Sequence, residues 1–126
     1  MKKKIEKLYC LKPFLGDKGW IEDKNIIEPY LLEERGLFRG SSSLLLRPKN
    51  SKEVSQILSI CNQNNIKVVP QGGRTGLCGG TIPSESGEEI LISMERMNVI
   101  RHISCDNFTI TVEAGCILSN IQEESE

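Results

Sequence analysis

The chain has 126 residues, enough for one domain with a single hydrophobic core. Its 16 Lys and Arg nearly balance 17 Asp and Glu, which removes the basic surplus that nucleic-acid binding requires; aromatic residues make up only 5% of the chain, too few for a base-stacking surface. Five cysteines (Cys10, Cys61, Cys78, Cys105 and Cys116) form no Cys-x-x-Cys pair, and with the single histidine, His102, they offer no zinc-ligand spacing. Reduced thiols packed among apolar neighbours in a cytoplasmic protein are the simplest account.

In chain order, Met1-Lys2-Lys3-Lys4 is basic, but Glu6, Lys7, Lys12 and Pro13 interrupt any apolar core of a signal peptide or membrane span. Ile5, Leu8 and Leu11 share one helical face, so a short packed helix is expected there. A turn around Gly16 and Gly19 follows, with Asp23 or Asn25 as N-cap of a helix expected over Ile26 to Arg35 that stops at Gly36 and holds Pro29 in its first turn. Leu44-Leu45-Leu46 reads as a strand buried on both faces and ended by Pro48. Asn50 and Glu53 form an Asx version of the capping box, after which Val54, Ile57, Leu58 and Cys61 make an amphipathic helical stripe closed by Asn64-Asn65. Ile66-Lys67-Val68-Val69 is a second strand. Strand, helix and strand together form a βαβ unit.

Directly after that second strand comes Pro70-Gln71-Gly72-Gly73-Arg74-Thr75-Gly76-Leu77-Cys78-Gly79-Gly80, with five glycines in nine residues. Glycine reaches positive φ cheaply and lets another group approach the backbone, and a run of unspent amides makes a concave anion site. It is neither a P-loop, which needs Gly-Lys followed by Ser or Thr, nor a Rossmann turn, which needs Gly-x-Gly-x-x-Gly opening a helix. Thr81-Ile82-Pro83-Ser84 is turn chemistry instead. The amides themselves must then hold the anion, and at about 1.5–3 kcal/mol for each bond to a charged group, three or four would suffice for a pyrophosphate. Arg74 offers a charge-assisted contact, and the Thr75 hydroxyl either a phosphate contact or a cap for the loop's own amides. A β-branched residue at Gly76 is expected to abolish binding through a positive φ there.

Beyond the loop, Ser84-Glu85-Ser86-Gly87 reads as a turn, Glu89 to Met94 as a strand, Met97 to Ile100 as a lead into another near Arg101-His102-Ile103, Asp106-Asn107 as a turn and Thr109 to Glu113 as a strand with one wetter face. Gly115 breaks that strand, and Ile117, Leu118 and Ile121 open a helix. The acidic residues that close it oppose the helix dipole, so Glu126 reads as an interruption. The pairs Glu33-Glu34 and Glu88-Glu89 read as solvated faces.

The loop resembles the pyrophosphate loop of flavoproteins with the p-cresol methylhydroxylase (vanillyl-alcohol oxidase) type of FAD domain, Pro-x-Gly-Gly-x-Thr-Gly-x-x-Gly-Gly, at every fixed position. The resemblance extends from Leu44-Leu45-Leu46-Arg47-Pro48 through Ser51-Lys52-Glu53-Val54 to Met97-Asn98 and Val112-Glu113-Ala114-Gly115, and Gln71 is similar to the D-2-hydroxyglutarate dehydrogenase branch among D-lactate dehydrogenases and glycolate oxidase FAD subunits. It implies an α+β (α/β) fold, a βαβ unit plus further strands forming the N-terminal half of a two-part FAD domain. Residues 1–43 would be a helical extension with no cofactor contact, and 44–126 the incomplete FAD-binding part.

By the same resemblance Pro70, Gly72, Gly73, Arg74, Thr75, Gly76, Leu77, Gly79 and Gly80 would surround the FAD diphosphate, with Gly115 letting the backbone pass close to the cofactor. No catalytic or metal-binding residue is assigned, because the base and substrate ligands of such enzymes lie in later domains. Two functions follow. One is the N-terminal part of a flavin-dependent D-2-hydroxyacid dehydrogenase, either a fragment or one part of a split enzyme completed by a separate chain that carries the rest of the FAD domain and the substrate domain. The other is a non-catalytic remnant or binding module. Weak or no retention of FAD by the chain alone is expected.

Overall fold

The computed structural model describes residues 1–125. Six strands form two sheets. β1 (Trp20–Ile21), β2 (Leu45–Leu46), β3 (Lys67–Gln71) and β4 (Glu89–Ser93) make the larger sheet in the order β1-β2-β4-β3. β1 runs antiparallel to β2, and β2, β4 and β3 run parallel. β5 (Ile100–Ser104) and β6 (Thr109–Val112) form a separate antiparallel pair. The mixed α and β content is the expected fold class.

Parallel strands covered on both faces carry continuous apolar runs, and Leu44, Leu45, Leu46, Ile90 and Leu91 are fully buried. Strand alternation deals their side chains to two cores. Leu44, Leu46, Ile90 and Ile92 join Ile5, Leu8, Leu11, Leu15, Trp20 and Ile57 on one face. Leu45 and Leu91 join Ile21, Ile27, Tyr30 and Leu31 on the other.

The expected helix between β2 and β3 is α4 (Ser51–Gln63) by chain order, the fourth α-helix after α1 (Lys2–Ile5), α2 (Lys12–Gly19) and α3 (Lys24–Ile27). Asn50 Oδ1 accepts from the Glu53 amide at 2.9 Å, and Glu53 Oε2 accepts from the Lys49 amide at 2.8 Å, one residue earlier than a capping box would have it. Asn65 closes the helix at φ 51, the left-handed terminus that Asn tolerates. The stripe differs at one position: Ile57 and Cys61 are buried, whereas Leu58 is exposed.

β2 and β3 are parallel but not neighbours, because β4 lies between them. The central place needs a strand that can be buried on both faces, and Ile90-Leu91-Ile92-Ser93 is buried throughout. β3 carries an exposed Lys67 and Pro70. Met94 N donates to Gln71 O at 2.8 Å, so Gln71 turns its backbone groups to β4. Pro70 turns its missing donor outward, as an edge strand allows.

The amino-terminal segment is α1, a 3₁₀ stretch over Glu6–Leu11, and α2, which bends at Gly16 (φ 65). It lays Ile5, Leu8, Leu11 and Leu15 on the core, as their spacing predicts. The helix expected over Ile26 to Arg35 is shorter. Asp23 caps α3, accepting from the Asn25 amide at 2.8 Å, and a 3₁₀ turn over Glu28–Tyr30 with Pro29 in it ends the helical stretch. Extended chain then bridges Leu32 to Arg39. The cause is Glu33, which is buried, not solvated: its carboxylate accepts the Arg35 and Leu37 amides at 3.1 and 3.2 Å, and those bonds replace the helical pattern with a tight turn at Gly36 (φ 74).

The helix α5 (Leu118–Ser125) follows Gly115 as expected; Glu126 lies outside the described residues. Three of the thiols, Cys10, Cys78 and Cys105, are exposed and not packed as their neighbours suggested: Cys10 is on the outer side of the 3₁₀ stretch, Cys78 in the glycine loop and Cys105 in a turn. Cys61 is buried, and burial pushes its thiol up to about 11, which leaves it unreactive.

Ile57→Ala should cost about 2–5 kcal/mol in chemical denaturation, as for other buried aliphatic truncations, while Leu58→Ala, at an exposed site, should stay within about 0.5 kcal/mol. Equal losses would mean that α4 is rotated from the register described.

Candidate functional site

The glycine loop leaves β3 at the carboxyl end of the parallel strands, where α/β sheets collect ligands. Its backbone is not stretched into a strand. Among the described residues, no amide from Gly72 to Gly80 donates a hydrogen bond to the protein. Exposed and half-buried amides of this kind are free for an outside acceptor.

What holds the loop is its carbonyls and side chains. Gln71 is 1% exposed, and its Nε2 donates to Tyr30 O at 2.9 Å and to Thr81 O at 2.7 Å, tying the two ends of the loop to each other and to the amino-terminal segment. Both partners can only accept, so the orientation of this amide is fixed and Oε1 is left buried without a partner among the described residues. Leu77 O accepts from Arg35 Nη2, and Gly79 O accepts from the Ile82 amide at 3.0 Å. Sequence reading placed no function on Gln71 or on residues 28–40. The only trace of either was an amide side chain beside the glycines, and nothing in its spacing pointed to Tyr30.

Glycine identity separates by cause. Gly79 has φ 74 and lies against the Phe38 ring, 3.0 Å from where a Cβ would stand, so the fold itself demands glycine there. Gly76 and Gly80 have no atom within 4 Å of a built Cβ and no positive φ; Gly72 and Gly73 meet only ordinary contacts at 3.4 and 3.6 Å. The left-handed φ expected at Gly76 is instead found at Gly79 and at Arg74 (φ 60). A Cβ on Gly115 would stand 1.8 Å from Met94 O, and its amide donates to Met97 O at 2.8 Å. The protein's own backbone therefore supplies a full reason for that glycine. Gly40, which sequence reading passed over, is equally constrained, 1.9 Å from Pro83 O by the same construction.

Arg74 does not extend into the loop's mouth. Its guanidinium lies 4.1 Å from the Tyr30 ring centroid, and Nη1 donates to Pro29 O at 2.8 Å. The expected charge-assisted contact from this side chain is therefore replaced by a cation–π stack. The Thr75 hydroxyl is exposed and caps no loop amide among the described residues. Pro70 belongs to β3, and Leu77 is exposed.

Behind Arg74 is a polar cluster. Tyr30 Oη donates to Glu95 Oε2 at 2.7 Å, and Arg47 Nη1 donates to Glu95 Oε1 at 2.6 Å. Burial alone would push the Glu95 carboxyl up, but the Tyr30 hydroxyl and the Arg47 guanidinium outweigh it and hold the group below the usual carboxylate range. Burial, together with Glu95, pushes the Tyr30 hydroxyl up, so it remains a donor.

Cavity size does not mark this region. A hollow of about 850 Å³ between β5 and α5 is lined by Asn98, Arg101, His102 and Glu123, with no loop residue. A short run of unspent amides need not enclose a large cavity, and the chemistry of the donors decides. Among the described residues there is no group of three or more His, Cys, Asp or Glu that could hold a metal, and no helix long and apolar enough to cross a membrane.

An α/β sheet that ends in a glycine loop of unspent amides is an arrangement suited to a nucleotide cofactor. The chain belongs to the FAD binding domain family, which matches residues 42–126. It is 43% identical over 115 residues to the probable mitochondrial D-2-hydroxyglutarate dehydrogenase of Oryza sativa subsp. indica, covering 91% of this chain and 20% of that protein. The fold is shared with alkyldihydroxyacetonephosphate synthase (TM-score 0.82, 20% identity, 96% of this chain and 24% of that one). It is shared also with p-cresol methylhydroxylase (TM-score 0.75, 22% identity, 98% of this chain and 25% of that one). The chain thus spans about a fifth of the length of the curated relative. FAD is the cofactor of this family. The cytoplasmic placement expected from sequence does not stand: the rice relative is a mitochondrial protein, and reduced cysteines do not distinguish the two compartments.

Because the folded Glu95 carboxyl lies below its ordinary 4.5, its contribution to stability is complete above that value and is lost as pH falls through the folded one. Glu95→Gln should therefore lower the melting temperature at neutral pH, with the gap to the native protein closing below 4.5. Thermal unfolding followed by circular dichroism across that range reads it; a gap independent of pH would show that the carboxylate charge is not what joins Tyr30 to Arg47.

Proposed function

We propose that this chain binds the diphosphate of FAD through the backbone amides of Gly72, Gly73, Arg74, Thr75, Gly76, Leu77, Gly79 and Gly80. On this reading residues 44–126 are the amino-terminal part of the FAD domain of a D-2-hydroxyacid dehydrogenase. The observation that carries it is the pairing of free amides with glycines, at Gly76 and Gly80, that the fold does not need. A glycine that neither turns the chain nor avoids a neighbour is explained by a ligand resting against it.

The fit extends to the diphosphate and stops there. Three or four amides supply roughly the binding that a pyrophosphate needs, and the Thr75 hydroxyl stands free to add another donor. Bound flavin would accept a hydride from Cα of a small 2-hydroxyacid, which is the chemistry it brings. This chain's own residues bind and orient the phosphates; the remainder of the enzyme, in the same or a complementing polypeptide, would supply substrate ligands and base. The length of the rice relative supports such a remainder, and its printed activity supports a D-2-hydroxyacid as the substrate class.

The test uses a substitution that should move stability and binding in opposite directions. Gly76→Ala should leave the fold intact and stabilise it by about 0.4–1 kcal/mol, through a less flexible unfolded chain, while weakening FAD binding in isothermal titration at least tenfold. Unchanged affinity in a folded Gly76→Ala protein would remove the diphosphate from this loop.

A further inference from the structure

The free amides raise a question that the loop alone does not answer, since a glycine-rich segment left to itself would turn its amides inward as readily as outward. The peptide between Leu77 and Cys78 is trans, as are all peptides of the described chain, so its carbonyl and its N–H point in opposite directions. Whatever fixes Leu77 O therefore fixes where the Cys78 N–H aims. The group that fixes it is Arg35, whose Nη2 donates to Leu77 O.

Arg35 is itself held. Its Nε donates to Glu33 Oε1 at 2.8 Å, its amide donates to Glu33 Oε2 at 3.1 Å, and the Leu37 amide donates to the same oxygen at 3.2 Å. Glu33 is 2% exposed. The guanidinium thus has one edge on a buried carboxylate and the other on a loop carbonyl, an arrangement that the planar fork of arginine fits. One residue further along the same turn, Phe38 lies against Gly79. The strand pairing of Leu32 with Arg39 stiffens the strap that carries all three.

We infer that Arg35, braced by Glu33, is a positioning residue for the diphosphate: it draws Leu77 O to the strap and so presents the Cys78 amide outward to the anion. This rests on the reading of the loop as a diphosphate site, and it adds a component from residues 28–40, which lie outside the matched family region. Arg35 already spends Nε on Glu33 and Nη2 on Leu77 O, and on this reading it acts by placing that loop carbonyl. Its removal weakens binding through geometry and not through charge. It therefore leaves the salt dependence of affinity as it was, whereas losing a direct ionic contact would flatten it.

The experiment follows the Cys78 and Gly79 amides by ¹⁵N–¹H correlation spectra of the full chain, alone and titrated with FAD and with inorganic pyrophosphate. In the ligand-free protein, Arg35→Gln should move or broaden the Cys78 amide signal while the β4 amides stay in place. Its FAD affinity should fall about tenfold, the loss of one charge-assisted bond, with an unchanged salt slope. Glu33→Gln, which removes only the brace, should shift the same signal in the same direction, and it carries the test should Arg35→Gln fail to fold. A Cys78 signal at its native position in both variants overturns the inference, as does an unaltered affinity in Arg35→Gln. A native chain whose amides from 72 to 80 ignore both FAD and pyrophosphate overturns the diphosphate reading instead, and the ligand-free spectra still decide whether Arg35 sets the Cys78 amide.

Discussion

Gln71 Nε2 donating to Tyr30 O and Thr81 O is the contact on which the rest of this molecule's geometry depends. It sits at the last residue of β3, where the sheet ends and the loop begins, and it joins both ends of the loop to Tyr30, 41 residues earlier. Backbone amides can serve an external anion only if they are spared by the protein, and a segment that spares them has given up its own means of staying in place. Here the cost is met from the carbonyl side. Gln71, Arg35 and the Ile82 amide take loop carbonyls, Arg74 anchors its half of the loop on Tyr30, and the donors remain free.

This division of labour explains why the amino-terminal segment belongs with the loop. Ile27, Tyr30 and Leu31 are buried against Leu45 and Leu91, so burial of apolar surface fixes the strap to the sheet. The strap's polar groups, Tyr30 O, Pro29 O and Arg35, then reach the loop, and the Phe38 ring lies against Gly79. Tyr30 faces both ways, its ring under Arg74 and its hydroxyl on Glu95, whose carboxylate also accepts from Arg47. Tyr30 is thus one of the side chains that connect the packing core to the glycine loop.

Much of this was readable from the amino acids alone, and the part that was not has a common physical origin. Leu44 to Leu46, the capping residues Asn50 and Glu53, the stripe through Ile57 and Cys61 and the alternating Thr109 to Val112 are local patterns, and each became the element its period implied. The loop was legible because glycine spacing is itself a statement about backbone. The insertion of β4 between β2 and β3 was not, since it depends on which of two strands is apolar on both faces. Nor was Glu33, whose neighbour Glu34 is exposed while it is buried; only the later turn at Gly36 separates them. Arg74 shows the same limit. A guanidinium between glycines reads as a phosphate ligand until an aromatic ring from forty-odd residues earlier is placed beneath it.

The glycines also show why a motif match and a structural reason are different things. Pro70 to Gly80 fits the family spacing throughout, yet the fold accounts for Gly79 by itself, through its φ and the Phe38 ring, and accounts for Gly115 through Met94. Those two would be glycine in a protein that bound nothing. Gly76 and Gly80 would not, because a side chain at either would meet only solvent in this chain. A ligand is therefore called for at the positions where the fold is indifferent, Gly76 and Gly80, and not at Gly79 and Gly115, which packing already explains.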